Sequence, residues 1–182
     1  MRGVAFVVVV AACGRARFEE RTFDASPFEH IALEAEGGQV LPDFGIVTDP
    51  AASGGQYVMD MASLGLTGHG AAIVTFEVGG ADTRPFHLWG RVLATDPAGD
   101  SFVFAIDSQP MQAFHTCVNG YSPTWQWVPL TPDHDGGMCL DSTALELALA
   151  PGPHTVVLSS REGGSSIDRM ILTDDLAYVA AD

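Results

Sequence analysis

The sequence predicts an all-β fold, an antiparallel sandwich or jelly roll, on three observations. About nine short segments with strand-like apolar alternation follow residue 30, clusters of Gly, Pro, Asp and Asn separate them, and no window carries the apolar repeat of a long amphipathic helix. The chain has 182 residues and 47% hydrophobic content. That is enough to bury the core of one domain. There is no internal repeat and no low-complexity block, so a propeller or solenoid is not expected.

The expected strands are 31–36, 57–60, 72–78, 85–94, 101–108, 125–130, 143–149, 155–161 and 168–173. The pattern is clearest in 72–78, where Val74, Phe76 and Val78 fall on one face and Thr75 and Glu77 on the other. Trp89 sits between Leu88 and Gly90 in the middle of its segment and reads as a core residue. Arg91 shares its face, however, so that face needs either a buried partner for the guanidinium or an opening to solvent, and the second case puts Trp89 and Arg91 at the border of a cleft. Trp125 and Trp127 also share a face, which is either inward and part of the core or outward and available to a ligand. Arg161 could contribute to such a cleft from a neighbouring strand end, but an exposed ion pair with Glu162 or a nearby acid is the expectation.

Glu34-Ala35-Glu36 at the start of the folded region is answered downstream by Asp168. On an extended strand Glu34 and Glu36 point the same way, about 7 Å apart. Like charges that close repel unless a positive charge lies between them. A hard cation such as calcium takes several oxygen ligands, carboxylates among them, so Glu34, Glu36 and Asp168 form a candidate metal set that would staple the first strand to the last. The expected role of the ion is structural, apart from the segment that carries Trp125.

The N-terminus reads as a targeting segment. Arg2 precedes an apolar or small run over 4–12, long enough for the hydrophobic part of a signal peptide and too short to span a bilayer. The run ends in Val10-Ala11-Ala12-Cys13, which resembles the lipobox of bacterial lipoproteins, with Gly14 after the cysteine. The expectation is a signal peptide over 1–12, lipidation at Cys13, a polar tether over 13–30, a sandwich over 31–176 and a tail over 177–182. The protein would then be secreted and membrane-anchored, at the outer membrane or cell surface. Of the three cysteines, removing Cys13 leaves Cys117 and Cys139 as a pair, with 21 residues between them. In an oxidising compartment such a pair is expected to be bonded.

Eight basic residues, all arginine, stand against 23 acidic ones, for a formal net charge of −15. None of the arginines cluster, so nucleic acid is not an expected partner. An anionic membrane surface is disfavoured for the same reason. The six histidines, at 30, 69, 87, 115, 134 and 154, lack the spacing of a catalytic zinc site. Asp133-His134-Asp135 with Ser142 nearby suggests a hydrolase, but neighbouring residues on one loop do not make a triad. Paired carboxylates for glycoside hydrolysis depend on a three-dimensional separation that sequence does not give.

An ordered string adds a family resemblance. It runs from Glu34-Ala35-Glu36 through Ala52-Ser53-Gly54-Gly55-Gln56-Tyr57-Val58, Ala72-Ile73-Val74-Thr75-Phe76-Glu77-Val78, Leu88-Trp89-Gly90-Arg91-Val92, Asp100-Ser101-Phe102-Val103 and Pro153-His154-Thr155-Val156-Val157-Leu158 to Ile167-Asp168. Over about 31–175, the string resembles carbohydrate-binding modules of the family 6 and 35 type. The resemblance implies a galactose-binding-domain-like β-sandwich that binds sugar without catalysis. It also implies a structural Ca2+ on Glu34, Glu36 and Asp168, completed by main-chain carbonyls, with the turn at 53–56 as the natural donor. Sugars bind through aromatic faces and a few fixed polar groups, so Tyr121, Trp125, Asn119, Trp89 and Arg91 are the candidate ligand residues. The excursion between Cys117 and Cys139 departs from the family pattern where the binding loops are usually shaped, so sugar specificity does not carry over. Such modules usually accompany a catalytic domain, for which 182 residues leave no room, so a free-standing, monomeric anchored binder of polysaccharide or oligosaccharide is expected. A protein-interaction or adhesion module on the same sandwich is the alternative, and a polysaccharide hydrolase or lyase ranks below both.

Overall fold

The computed structural model describes residues 28–62, 70–95, 97–116, 122–131 and 144–182. The signal segment, Cys13, Cys117, Cys139, Asn119, Tyr121, the Asp133-His134-Asp135 stretch and Ser142 lie outside the described residues. Twelve strands are present among those described, along with two single 3-10 turns at Ala35–Gly37 and Ser53–Gly55. The strands are β1 (His30–Glu34), β2 (Gln39–Val40), β3 (Phe44–Thr48), β4 (Gln56–Asp60), β5 (Ala72–Val78), β6 (Arg84–Ala94), β7 (Ser101–Ile106), β8 (Gln112–His115), β9 (Ser122–Pro129), β10 (Leu147–Leu149), β11 (Gly152–Ser159) and β12 (Ser166–Thr173).

All pairings are antiparallel and form the two sheets of the expected sandwich. One sheet runs β2-β5-β11-β7-β8. The other centres on β6 and β12, which pair along most of their length. β10 and β9 follow one another along the far edge of β6, while β1 and β4 do the same along β12. β3 closes the edge outside β4.

The core forms where alternation points inward from both sheets. Val74, Phe76 and Val78 of β5, Phe102, Phe104 and Ile106 of β7, and Val156 and Leu158 of β11 meet Phe86, Leu88 and Val92 of β6 and Ile167, Met170 and Leu172 of β12. Gly90 keeps the two layers in contact, because a Cβ there would lie 2.8 Å from the ring of Phe114. Trp89 is outside this core, contrary to the expectation. It occupies the outward phase of β6 and is half-buried, because the inward phase belongs to Leu88 and Gly90.

Three further strands, β2, β3 and β8, went unread in the sequence. All have five residues or fewer, which leaves little length for an alternation to show, and β3 leaves Ile46 48% exposed at the sheet edge. The first strand is shorter than expected, since it ends at Glu34 and Glu36 falls in the 3-10 turn.

On the second sheet His154 lies over Phe76, with ring centroids 5.4 Å apart. Its Nδ1 is 2.7 Å from Asp107 Oδ2 and its Nε2 is 2.7 Å from the Ala150 carbonyl oxygen. Both ring nitrogens face acceptors, so the doubly protonated imidazolium is the species that satisfies the site. Burial opposes that charge, but the Ala150 carbonyl and the Asp107 carboxylate outweigh it, with Glu77 adding to the field, and the His154 pKa is raised. A raised folded value gives stabilisation that is complete below the unfolded value of about 6.5 and lost as pH rises through the folded one. Asp107 is also buried to a degree, yet His154 and the Thr155 amide hold its carboxyl low, so its own contribution is lost on acidification. We therefore expect the wild type to exceed H154Q in Tm by more at pH 6 than at pH 8.5. A thermal melt series in which that difference is independent of pH contradicts the assignment.

Candidate functional site

The site is built on one cross-strand row of the β6–β12 sheet, on the face turned away from the core. Glu34 of β1 is opposite Arg169 of β12, Arg169 is opposite Arg91 of β6, and Arg91 is opposite Trp127 of β9. Directly opposed residues in an antiparallel ladder project to the same side. The row therefore presents an acid, two arginines and an indole side by side.

Asp168 adds the fourth charge. β12 changes partner from β4 at Ser166 and Ile167 to β1 from Arg169 onward, and its register with β6 shifts between Ile167 and Arg169. A bulge of this kind leaves a residue outside the ladder and re-aims its side chain. Asp168 is that residue, and it has no solvent exposure. The Ser53 amide donates to both of its oxygens at 3.0 Å, and Arg91 Nη1 lies 2.5 Å from Oδ2. The turn carrying Ser53 is thereby fastened to β12, and the Ser53 hydroxyl donates in turn to Glu34 Oε1 at 3.0 Å.

Glu34, Glu36 and Asp168 each bring a carboxylate oxygen within 4.8 Å of the others. The route differs from the expected strand alternation, because the 3-10 turn after β1 swings Glu36 back toward Glu34. Burial raises the Glu36 pKa, and the charges of Glu34 and Asp168 add to the effect against a hydrogen bond from its own backbone amide. Glu34 Oε2 and Glu36 Oε2 are both buried and lack a hydrogen-bond partner. Buried carboxylate oxygens without donors, converging with a third carboxylate, suit a hard divalent cation. These residues thus fit the implied calcium, and Gly54 of the 53–56 turn stands against Glu36, where a Cβ would lie 3.5 Å from Oε1.

Arg91 joins this cluster to the aromatic face. Its Nε donates to Asp182 Oδ1 at 2.7 Å, its Nη1 donates to the Ala51 carbonyl at 3.1 Å, and its Cζ lies 5.6 Å from the centre of the Trp125 ring. Burial opposes its charge, and the hydrogen bonds and charges of Asp182 and Asp168 more than restore it. Trp125 is held on two further sides. Its Nε1 donates to Asp49 Oδ2 at 2.9 Å, and its ring meets Tyr57 edge-on at 5.0 Å. Asp49 is kept low by the Ala51 amide and this indole. Trp127 Nε1 donates to Asp182 Oδ1 at 3.1 Å.

Two hollows flank the Arg91–Asp182 contact. One of about 260 Å³ is bordered by Asp49, Leu93, Pro123 and Trp125, and one of about 280 Å³ by Ser53, Trp127, Arg169 and Ala181. The outward alternative for Trp125 and Trp127 is therefore the one realised. The expected distance between metal set and aromatic face is not, because Arg91 touches both. Trp89 lies on the same outer face with its Nε1 buried and lacking a hydrogen-bond partner. Arg161 pairs with Glu162 at 3.4 Å, as read from sequence, although both side chains are half-buried where an exposed pair was expected. Trp127, Arg169 and Asp182 were not singled out in the sequence as site residues. The shared face of Trp125 and Trp127 was a usable signal for the first, whereas the roles of the other two depend on strand register and on a distant segment folding back.

No protein-family model and no curated protein matches the chain. Solved structures do. A family 35 carbohydrate-binding module from Clostridium thermocellum superposes with a TM-score of 0.56 at 16% identity, covering 78% of this chain and 97% of that one. The C-terminal family 6 module of a marine laminarinase from Zobellia galactanivorans gives 0.54 at 15% identity, covering 80% and 99%. An exo-β-1,3-galactanase from Phanerochaete chrysosporium, determined with β-1,3-galactotriose, gives 0.58 at 16% identity, and the match takes in 79% of this chain and 29% of the galactanase. The chain has the β-sandwich fold of family 6 and family 35 carbohydrate-binding modules.

Two substitutions separate the electrostatic roles in metal-free buffer. D168A breaks a buried ion pair and strands the Ser53 amide, and the relief of repulsion at Glu34 and Glu36 offsets only part of that. The expected loss is about 3 kcal/mol by denaturant unfolding. E36Q removes a carboxylate whose raised pKa marks its charge as unfavourable in the fold, so its Tm should rise at pH 7. A lower Tm for E36Q in chelator, or an unchanged stability for D168A, contradicts this account of the cluster.

Proposed function

We propose that the domain is a non-catalytic carbohydrate-binding module whose ligand face is the outer surface of β6 and β9 around Trp125, Trp127 and Arg91, with a calcium ion on Glu34, Glu36 and Asp168. The observation that carries this reading is the fixation of Trp125. One edge of the indole is pinned by Asp49, Tyr57 backs it, a guanidinium lies over it, and a hollow remains beside it. Sugars present apolar C–H faces to such rings and hydroxyls to planar polar groups, and a ring already held in place loses little freedom on binding. Arg91, Asp49 and the Ala51 carbonyl supply the polar groups within reach of that hollow.

Glu34, Glu36 and Asp168 would hold the ion, which supplies the positive charge their convergence calls for. Asp168 also holds Arg91, so the metal set bears on how the ligand face is arranged. Display as a lipoprotein anchored through Cys13 belongs to the same proposal and rests on the apolar run over 4–12 that ends in Val10-Ala11-Ala12-Cys13.

A glycan array that includes β-1,3-galactotriose, run in millimolar calcium, tests the ligand. The expected result is retention of one glycan class, weakened at least about tenfold in W125A, a change of roughly 1.4 kcal/mol. No retention of any glycan would overturn the carbohydrate reading in favour of a protein partner. For calcium, an ion at 100-fold over its dissociation constant stabilises by about 2.7 kcal/mol, or some 5–10 °C in Tm for a domain of this size. That shift should vanish in E36Q. Equal melting points in calcium and in chelator for the wild type would sink the calcium assignment.

A further inference from the structure

We propose that the segment following β12 acts as an internal occupant of the ligand face, with Asp182 seated where an incoming ligand must contact Arg91 and Trp127. The inference rests on that face being the binding surface and concerns how access to it is controlled. After β12 the chain turns back on itself, with the Ala177 amide on Asp175 Oδ1 at 3.0 Å and the Tyr178 amide on the Asp175 carbonyl at 3.0 Å. Tyr178 packs against His30 at 5.0 Å between ring centres, and Ala180 is buried. These contacts deliver Ala181 and Asp182 across the outer face of the sheet.

A single oxygen, Asp182 Oδ1, accepts from both Arg91 Nε and Trp127 Nε1. Both donors come from the row, in which Arg91 Nη1 is already committed to Asp168 and Ala51. Asp182 borders both hollows, as do Ala51 and Arg91, so its side chain forms the exposed part of the wall between them. Lifting it would open the two hollows toward each other over Arg91, with Trp125 on one side and Trp127 on the other. The contact is suited to release, because the Asp182 side chain is 62% exposed, and ion pairs that open to water hold weakly. A ligand bound only by the open form has its affinity reduced by the open fraction. The segment thus sets a threshold without sealing the site.

D182A and D182K in the full chain test this, and the residue is exposed enough that neither change threatens the core. The first readout needs no glycan: quenching of tryptophan emission by neutral acrylamide should increase in both variants, with a red shift from the uncovered Trp127. The second is affinity for a glycan retained by the array. A pair this exposed should restrain it modestly, so binding should tighten roughly two- to fivefold in D182A. Unchanged quenching overturns the proposal, as does equal glycan affinity in wild type and D182A. If no glycan binds any of the three proteins, the carbohydrate reading falls on its own, and quenching alone decides whether Asp182 covers the face.

Discussion

A carboxylate with no access to solvent, placed at a break in the strand ladder, is the constraint on which this domain is organised. Asp168 lies where β12 exchanges β4 for β1, and a charge in that position has to be answered by donors from every side. The Ser53 amide and Arg91 answer it, and each brings its surroundings along. Ser53 ties the turn before β4 to both Asp168 and Glu34, so the entry to one strand is fixed to the end of another. Arg91 carries the influence of the same charge two strands further, to Trp125 and Asp182. Stability and the arrangement of the outer aromatic face thus draw on the same residue.

The charge balance of the chain takes on a structural meaning in this light. There is no lysine, and each of the four arginines among the described residues is in an ion pair: Arg84 with Glu29 and Asp174, Arg91 with Asp168 and Asp182, Arg161 with Glu162, and Arg169 with Glu34. A guanidinium has a planar fork of donors and can serve two carboxylates at once, which suits Arg84 and Arg91 in a way a lysine would not. Where the three carboxylates meet, Arg91 answers Asp168 and Arg169 answers Glu34, and no arginine among the described residues pairs with Glu36. This is the physical case for a cation there. The same scarcity makes Arg91 on the outer face conspicuous as a polar anchor beside two indoles.

Much of the fold was legible because alternation reports burial directly. Segment 72–78 could be read to the residue, with Val74, Phe76 and Val78 in the core. Glu34, Glu36 and Asp168 could be picked out as a set, although the geometry that unites them is a 3-10 turn and a bulge instead of two residues on one strand face. Trp89 was misassigned because an aromatic flanked by Leu88 and Gly90 looks like core, whereas its phase matches Arg91 and the outer face. The strands β2, β3 and β8 are too short or too exposed at the sheet edge to leave an alternation signal. Arg169 and Asp182 could not be reached from sequence: their roles come from pairing registers and from a backbone that folds across the sheet, both long-range properties. The resemblance to carbohydrate-binding modules pointed to the sandwich, while the strand reading set Glu34, Glu36 and Asp168 apart from the segment of Trp125, to which Arg91 joins them.

The most direct test of this account is a crystal of the domain grown with manganese in place of calcium and measured for anomalous scattering. One strong anomalous peak coordinated by Glu34, Glu36 and Asp168 is expected, with Arg91 still between Asp168 and the Trp125 face. A well-ordered structure in which those three carboxylates show no peak, or splay apart into solvent, would contradict it.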